Sequence, residues 1–178
     1  MQASNHDRLQ QIAHYVIARA PTDQLGATKL NKVLWYIDCW SWWQNGESLT
    51  GLKSYTRMKH GPVPKQLPNK LSTMKKDGSI IERRVDTPVG VRREFVSLIE
   101  PDLSGLSAGD IDMIHKVIAY LCKMSAKDAS EITHDAYWEE IPEGGEMSIA
   151  AGSVQIADPE EEDLAWAMAE ARALGLHA

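Results

Sequence analysis

The sequence predicts a mainly α-helical single domain with a small antiparallel β-hairpin, an α+β class. Apolar residues recur at helical spacing along much of the 178-residue chain, and two β-branched segments flank a Pro/Gly turn at residues 86–90. With 43% apolar residues, a chain of this length can bury a sufficient core without disulfides or a structural metal. We therefore expect one domain over residues 1–178.

Two helices are predicted in the first quarter of the chain. Residues 6–19 repeat apolar side chains every three or four positions, and Pro21 ends that pattern. Residues 28–46 give the longest helix signal, with Thr28 as its N-cap and Gly46 as its C-terminal stop. Because apolar side chains cover several sides of this second helix, we expect it to be central.

A short helix and the hairpin follow. Residues 64–78 are typical of a helix with Pro64 near its first turn, Pro68 disturbing it, and Gly78 ending it. Residues 79–85 and 91–99 then predict two strands of one hairpin.

Further helices are predicted in the C-terminal half. The segments SAGD at 107–110 and SAKD at 125–128 are N-cap patterns in front of apolar repeats. Residues 142–157 are only weakly patterned, whereas a final helix is expected over 158–175, where an acidic first turn suits the positive end of the helix dipole.

Charge is unevenly divided along the chain, whose net charge is −6. Residues 29–93 hold 13 Lys/Arg against 5 Asp/Glu, and residues 94–178 hold 4 against 18. Cys39 and Cys122 lack the spacing of a disulfide framework or zinc site, so we expect two buried thiols. We find no signal peptide or membrane-spanning run, and we expect a cytoplasmic protein without metal, cofactor or membrane partner.

The segment YTRMKHGPVPKQL, residues 55–67, raises three alternatives. A phosphate cradle needs several converging backbone N–H groups, but this segment has one glycine, and Pro62 and Pro64 remove donors. A hydrolase would use His60 with a distant carboxylate, yet no nucleophile motif accompanies it. We favour a rigid corner in which Gly61 adopts a backbone conformation costly for other residues, with the chain extended on either side of Val63.

Nucleic-acid binding is a second alternative, because four arginines cluster on the predicted hairpin and two lysines precede it. These residues are Arg83, Arg84, Arg92, Arg93, Lys75 and Lys76. A charge-rich hairpin is also an ordinary solvated edge, and the sequence shows no helix-turn-helix or RNA-binding motif.

A partner-binding stripe is predicted on the second helix. The helical period places Asn31, Trp35, Asp38 and Trp42 on one side, so two indoles alternate with two hydrogen-bonding groups. Such a composition is favoured at binding hot spots. The alternative is that the domain buries this face in its own core, with Asn31 and Asp38 bonded to loop backbone.

Three blocks together resemble the Panacea domain, a family with SocA-like and phage-associated GepA-like members. The blocks are KLNKVLWYIDCWSWWQNGESLTG at 29–51, YTRMKHGPVPKQL at 55–67, and LSAGDIDMIHKVIAYLCKMSAKDASEITHDAYW at 106–138. The resemblance covers most of residues 8–141. It implies a structural role for a set of motif residues, namely Gly61, Pro62, Val63, Pro64, His134 and Trp138.

The resemblance implies a non-enzymatic antitoxin that neutralises a cognate toxin protein by direct contact. SocA-like members are also proteolytic adaptors that deliver their toxin to a AAA+ protease, so such a protease is a second implied partner. Many relatives carry an added DNA-binding domain for autoregulation. The 28 residues before KLNK are too few for one, so we do not expect that role here.

Overall fold

The computed structural model describes residues 7–156, and its first element is a capped helix. In α1, Arg8–Arg19, the Asp7 side chain accepts a hydrogen bond from the Gln10 amide. Most of α1 is buried, including every residue from Gln11 to Ile17, and the helix stops at Ala20, before Pro21, as the sequence predicts.

The central element is α2, Thr22–Asn45, which contacts α1 and much of the rest of the fold. Thr28 lies inside this span and is therefore not its N-cap, but Gly26 divides the span, and the regular helix begins within two residues of Thr28. Gly26 breaks the regular helix with φ of 56° and ψ of 162°, a conformation that glycine adopts readily. The predicted stop is confirmed, since Gly46 caps the helix in the left-handed region.

The YTRMKHGPVPKQL segment, predicted to be a rigid corner, forms a second small hairpin. Strands β1, Ser54–Met58, and β2, Gly61–Val63, pair antiparallel with Met58 opposite Gly61. Pro62 is tolerated because β2 lies at the edge of its sheet. Helix α3 follows over Leu67–Lys76, and Pro68 occupies its first turn, so this proline starts the helix rather than disturbing it.

The predicted arginine-rich hairpin is confirmed. Strand β3, Ile80–Thr87, pairs with β4, Gly90–Ser97, through eight residue pairs. Pro88 and Val89 lie in the turn between them. Strand β4 and α2 pack together, which fixes the hairpin against the central helix.

Three capped helices come next. In α4, Ala108–Cys122, Ser107 and Asp110 form a reciprocal capping box, and in α5, Ala126–Glu131, the Ser125 side chain accepts from the Asp128 amide. Both N-cap predictions are therefore confirmed. A single-turn helix, α6, spans Ala136–Glu140 and is capped by Asp135.

The weakly patterned segment after residue 142 also has regular structure. Strand β5, Glu146–Ser148, pairs with β1 and completes a sheet of order β2-β1-β5. Helix α7, Ile149–Ile156, then packs along α2. The final helix predicted at 158–175 lies outside the described residues.

The architecture confirms the predicted α+β class, with helices around α2 and two small antiparallel sheets. The core joins residues from α1, α2, α4 and both sheets, and includes the buried thiols of Cys39 and Cys122. No helix within residues 7–156 has both the length and the apolar character that crossing a bilayer demands.

Candidate partner-binding site

Lys32 lies at the junction of the three sequence blocks. It comes from the KLNK segment of α2, and only 1% of the residue is exposed. Its Nζ donates a hydrogen bond to the backbone carbonyl of His60 in the β1–β2 turn. Because burial penalises the charged ammonium, the pKa of Lys32 falls to about 7. This side chain ties the central helix to the small hairpin.

Gly61 makes this approach possible. Its φ of +104° is in the region that favours glycine, which confirms the expected unusual backbone. A Cβ at this position would lie 2.5 Å from Thr133 Oγ1 and closer still to Lys32 Nζ. The hydroxyl of Thr133 in turn donates to the Ser130 carbonyl at 2.8 Å. The KLNK, GPVP and ITHDAYW segments therefore converge within van der Waals contact.

A three-layer stack extends from this junction. The guanidinium carbon of Arg57 lies 3.6 Å from the centroid of the Trp138 ring. The His134 ring also stacks on Trp138, with 3.9 Å between the two ring centroids and nearly parallel planes. Burial and the nearby charges of Lys32, Arg57 and His60 lower the pKa of His134, so the imidazole is neutral at pH 7. A neutral His134 fits beside the Arg57 guanidinium without added repulsion.

Several buried polar atoms at this junction have no hydrogen-bond partner within the described residues. They are Asn31 Oδ1, Arg57 Nε, His134 Nε2 and Trp138 Nε1. The carboxylate of Glu143 approaches Arg57 only at 3.8 Å, through a different nitrogen, Nη1. Buried polar groups in folded proteins are normally bonded, so this concentration of unpaired atoms distinguishes the junction within the described fold.

Asp38 anchors a buried hydrogen-bond network on another part of α2. Its carboxylate accepts from the Thr50 amide at 2.9 Å, the Thr50 hydroxyl at 2.5 Å and the Tyr55 hydroxyl at 2.8 Å. Burial raises the pKa of Asp38 to about 6, although these hydrogen bonds oppose the shift. The network joins the loop after α2 to strand β1.

The four residues of the predicted stripe on α2 differ in their exposure. Trp35 and Asp38 are buried, whereas Asn31 and Trp42 are half-buried. Helix α7 covers Trp35, because a Cβ on Gly152 would overlap the indole ring. In this fold, Trp35 and Asp38 belong to the core, as the alternative interpretation expected, and they offer no free surface. Partner binding by the stripe remains a prediction for Asn31 and Trp42.

The arginine-rich hairpin is largely neutralised by its own carboxylates. Glu94 is 1% exposed and pairs with Arg83 at 2.8 Å and Arg92 at 2.5 Å. Arg93 donates to Glu82 at 2.6 Å, and its hydrogen bond, with one from Lys75, lowers the pKa of Glu82 to about 2. These arginines serve the packing of the hairpin.

Arg84 is the exposed hairpin arginine for which the described chain shows no ion pair. The remaining basic surface of the hairpin is therefore smaller than the sequence indicates.

Catalytic and metal chemistry find little geometric support in the described part of the chain. The exposed His60 contributes its backbone carbonyl to Lys32, and no described carboxylate or hydroxyl bonds to its ring. Residues 7–156 contain no group of three His, Cys, Asp or Glu side chains arranged to hold a metal ion.

An acidic segment adjoins the stack. Residues 128–146 contain seven carboxylates and no lysine or arginine. Several of these carboxylates have structural tasks, since Asp128 and Asp135 belong to helix N-termini and Glu143 faces Arg57. Glu139 and Glu140 are exposed on α6 beside the stacked Trp138, and they give this surface its negative charge.

Lys32, Arg57, Thr133 and Gly152 are not recognisable as site residues from the sequence pattern. The presence of Lys32 three positions after Lys29, in the block that carries the resemblance, was the one local signal for a buried lysine. Arg57 and Thr133 gain their significance only from contacts across more than 70 residues of sequence.

A comparison with known protein families gives a match. The family model described as "Antitoxin SocA-like, Panacea domain" matches residues 30–139, well over half of the chain. The match includes Lys32, Arg57, Gly61, His134 and Trp138, and it ends before β5 and α7. No curated protein and no solved structure matches the chain.

Proposed function

The chain belongs to the SocA-like Panacea antitoxin family, and we propose that it binds a cognate toxin protein directly and neutralises it. Family membership indicates an antitoxin-type role. Direct toxin binding is the specific form of that role which we propose, in the cytoplasm and without catalysis.

The observation that best supports direct binding is the junction of the motif blocks around Lys32. Indole and guanidinium groups, which are frequent at binding hot spots, meet there with buried atoms that lack hydrogen-bond partners. A catalytic site would instead need a nucleophile or a base with a substrate cavity beside it. Partially buried Trp138 and Arg57 are better suited to contact another protein surface.

The acidic segment at residues 128–146 provides the charge for recruiting such a partner. A toxin with a basic surface would be steered towards Glu139 and Glu140, which accelerates association and has less effect on dissociation. We expect added salt to slow association more than it speeds dissociation. An association rate that does not respond to salt would refute steering.

The decisive test of toxin binding uses the adjacent reading frames. Each is expressed alone and together with this chain, and we expect at least one to arrest growth alone and to co-purify with this chain when growth is restored. Harmless neighbouring frames in every tested host would contradict the proposal.

A charge-reversal pair then locates the recruiting surface. We expect Glu139→Lys/Glu140→Lys to lower the association rate by about tenfold at low salt, whereas Glu47→Lys/Asp86→Lys, which has the same net charge, lowers it much less. Equal effects from both pairs would show that overall charge, and not the acidic segment, steers the toxin.

Proteolytic delivery of the toxin to a AAA+ protease is a further part of this proposal. It predicts that the AAA+ protease, supplied with ATP, degrades the toxin faster when this chain is present than when this chain is absent. Equal toxin lifetimes with and without this chain would leave neutralisation to binding alone.

The nucleic-acid alternative depends on the exposed Arg84, because the other three hairpin arginines face carboxylates. Phosphate-dominated binding weakens steeply with salt. The absence of a mobility shift at low salt would exclude it.

A further inference from the structure

A cleft of about 400 Å³ lies between the N-terminal part of α2 and the β1–β2 hairpin. It adjoins the junction around Lys32, and none of residues 128–146 lines it. Its lining residues are Thr28, Asn31, Lys32, Thr56, Met58, Lys59, His60, Val63 and Lys65.

The lining is cationic. Lys59 and Lys65 contribute exposed ammonium groups to it, and no carboxylate lines it. Lys59 and Lys65 are exposed and form no ion pair within residues 7–156. By contrast, Lys75 and Lys116 on other surfaces pair with carboxylates at 2.6 and 2.7 Å. The cleft therefore presents uncompensated positive charge that a negatively charged partner can neutralise.

Asn31 shows which kind of anion is suited to the cleft. Its Nδ2 donates to the Ala27 carbonyl at 3.1 Å, which orients the amide and leaves Oδ1 as an acceptor. This Oδ1 is buried and has no partner within the described residues. A phosphate group at neutral pH supplies acceptors but hardly any donors, whereas a peptide supplies both carboxylates and backbone N–H donors.

The remaining lining adds apolar surface. Met58 is 42% exposed, and Val63 is half-buried beside it. The neighbouring edge strand β2 contains Pro62 and is followed by Pro64, which lack the N–H groups that an added strand would require. A ligand is therefore held by side chains and not by extension of the sheet.

We propose that this cleft binds an acidic peptide segment of a partner protein, with carboxylates facing Lys59 and Lys65, an N–H group facing Asn31 Oδ1, and apolar side chains against Met58. This surface goes beyond the proposed function, because its charge is opposite to that of the segment proposed to recruit a basic toxin. Lys59 and Lys65 are not among the residues proposed to bind the toxin, so their replacement separates loss of peptide binding from loss of toxin binding.

The test measures fluorescence anisotropy of a labelled peptide of alternating glutamate and leucine, titrated with the full-length protein at about 50 mM salt. We expect saturable binding, and we expect Lys59→Gln/Lys65→Gln to weaken it by about tenfold. The matched control Lys76→Gln/Lys123→Gln removes the same charge from other exposed surfaces and should change affinity by less than about twofold. Absence of binding to the parent protein, or equal losses in both double variants, would overturn the proposal.

Two further measurements identify the ligand class. Asn31→Ala should weaken peptide binding several-fold with little change in melting temperature, because the cleft loses its acceptor. A single-stranded oligonucleotide of the same net charge should compete poorly. If the oligonucleotide displaces the peptide at equal concentration, the cleft is a phosphate site and the proposal is wrong.

Discussion

Replacing Gly61 by alanine tests the central packing of this site. The backbone there has a φ of +104°, and an added methyl group would meet two polar side chains from distant segments. Lys32 is one of them, and its ammonium already has a carbonyl partner in the turn before Gly61. Any shift of Lys32 therefore disturbs both the helix and the hairpin.

The expected magnitude has two parts. A residue with a Cβ in the left-handed region costs about 1–2 kcal/mol. The new Cβ would also lie below the 3.0 Å that real Cβ atoms essentially never violate, from both Lys32 Nζ and Thr133 Oγ1. Disturbing a buried charged hydrogen bond costs about 2–3 kcal/mol more. We expect Gly61→Ala to lower the free energy of unfolding by about 3–5 kcal/mol, or roughly 10 °C in melting temperature.

A matched glycine separates the two parts. Gly51 also has a positive φ, +79°, but nothing lies within 4 Å of its hypothetical Cβ. Gly51→Ala should therefore cost only the backbone term, about 1–2 kcal/mol. Thermal unfolding followed by circular dichroism measures both variants. If Gly61→Ala and Gly51→Ala agree within about 1 kcal/mol, the reasoning about Lys32 and Thr133 is refuted.

The neighbouring His60 serves as a second control. Its side chain is exposed, and its contribution to the junction is a backbone carbonyl that any residue supplies. His60→Ala should change stability by less than about 0.5 kcal/mol. If His60→Ala is more destabilising than Gly61→Val, the imidazole has a structural or chemical task.

Four other variants probe groups that lie on α2 or bond to it. The pKa of Lys32 is lowered to about 7, so between pH 7 and the unfolded value of 10.5 the unfolded chain binds more protons than the folded chain. As the pH rises from 7 to 10, the parent should therefore gain stability relative to Lys32→Met, by at most about 4 kcal/mol. Chemical denaturation at pH 7 and pH 10 measures this gain, and a stability difference that stays constant would contradict it. Burial raises the pKa of Asp38 to about 6, so the folded state favours its protonated form and its charge becomes costly as pH rises through that value. Tyr55→Phe removes a donor to that carboxylate and should lower the free energy of unfolding by about 1.5–3 kcal/mol at pH 8 and by less at pH 5. An equal loss of stability at both pH values would contradict this. Trp35→Ala should lower the free energy of unfolding by about 3–5 kcal/mol, and Trp42→Ala should lower it less. A partner-binding role for Trp42 further requires that Trp42→Ala loses affinity for the toxin. If Trp42→Ala melts far below the parent, Trp42 belongs to the fold.

Local sequence was sufficient to predict the elements whose signals lie within a few residues. The Ser107 and Ser125 caps, the Gly46 stop and the arginine-rich hairpin are all confirmed. Each depends on short-range hydrogen bonding or backbone preference, which the neighbouring residue types already specify. Thr28 is not the N-cap, because the non-helical Gly26 comes two residues before it and a short helical segment at 22–25 precedes that kink.

The partners of the charged groups were decided by tertiary structure. On the hairpin, a count of arginines indicated a basic surface, but cross-strand register places Arg83 directly opposite Glu94, and side-chain contacts add Arg92 to the same carboxylate. Pairing of this kind depends on strand register, and composition does not contain it.

The site itself is a product of contacts between distant segments. The sequence by itself determined the helix of Lys32, the turn of Gly61 and the family of the chain. Tertiary structure decided that Lys32 is buried, that it meets Gly61 and Thr133, and that α7 covers Trp35. The physical reason is that burial and the pKa of Lys32 depend on neighbours 28 and 101 residues away, and local propensity carries no information about such neighbours.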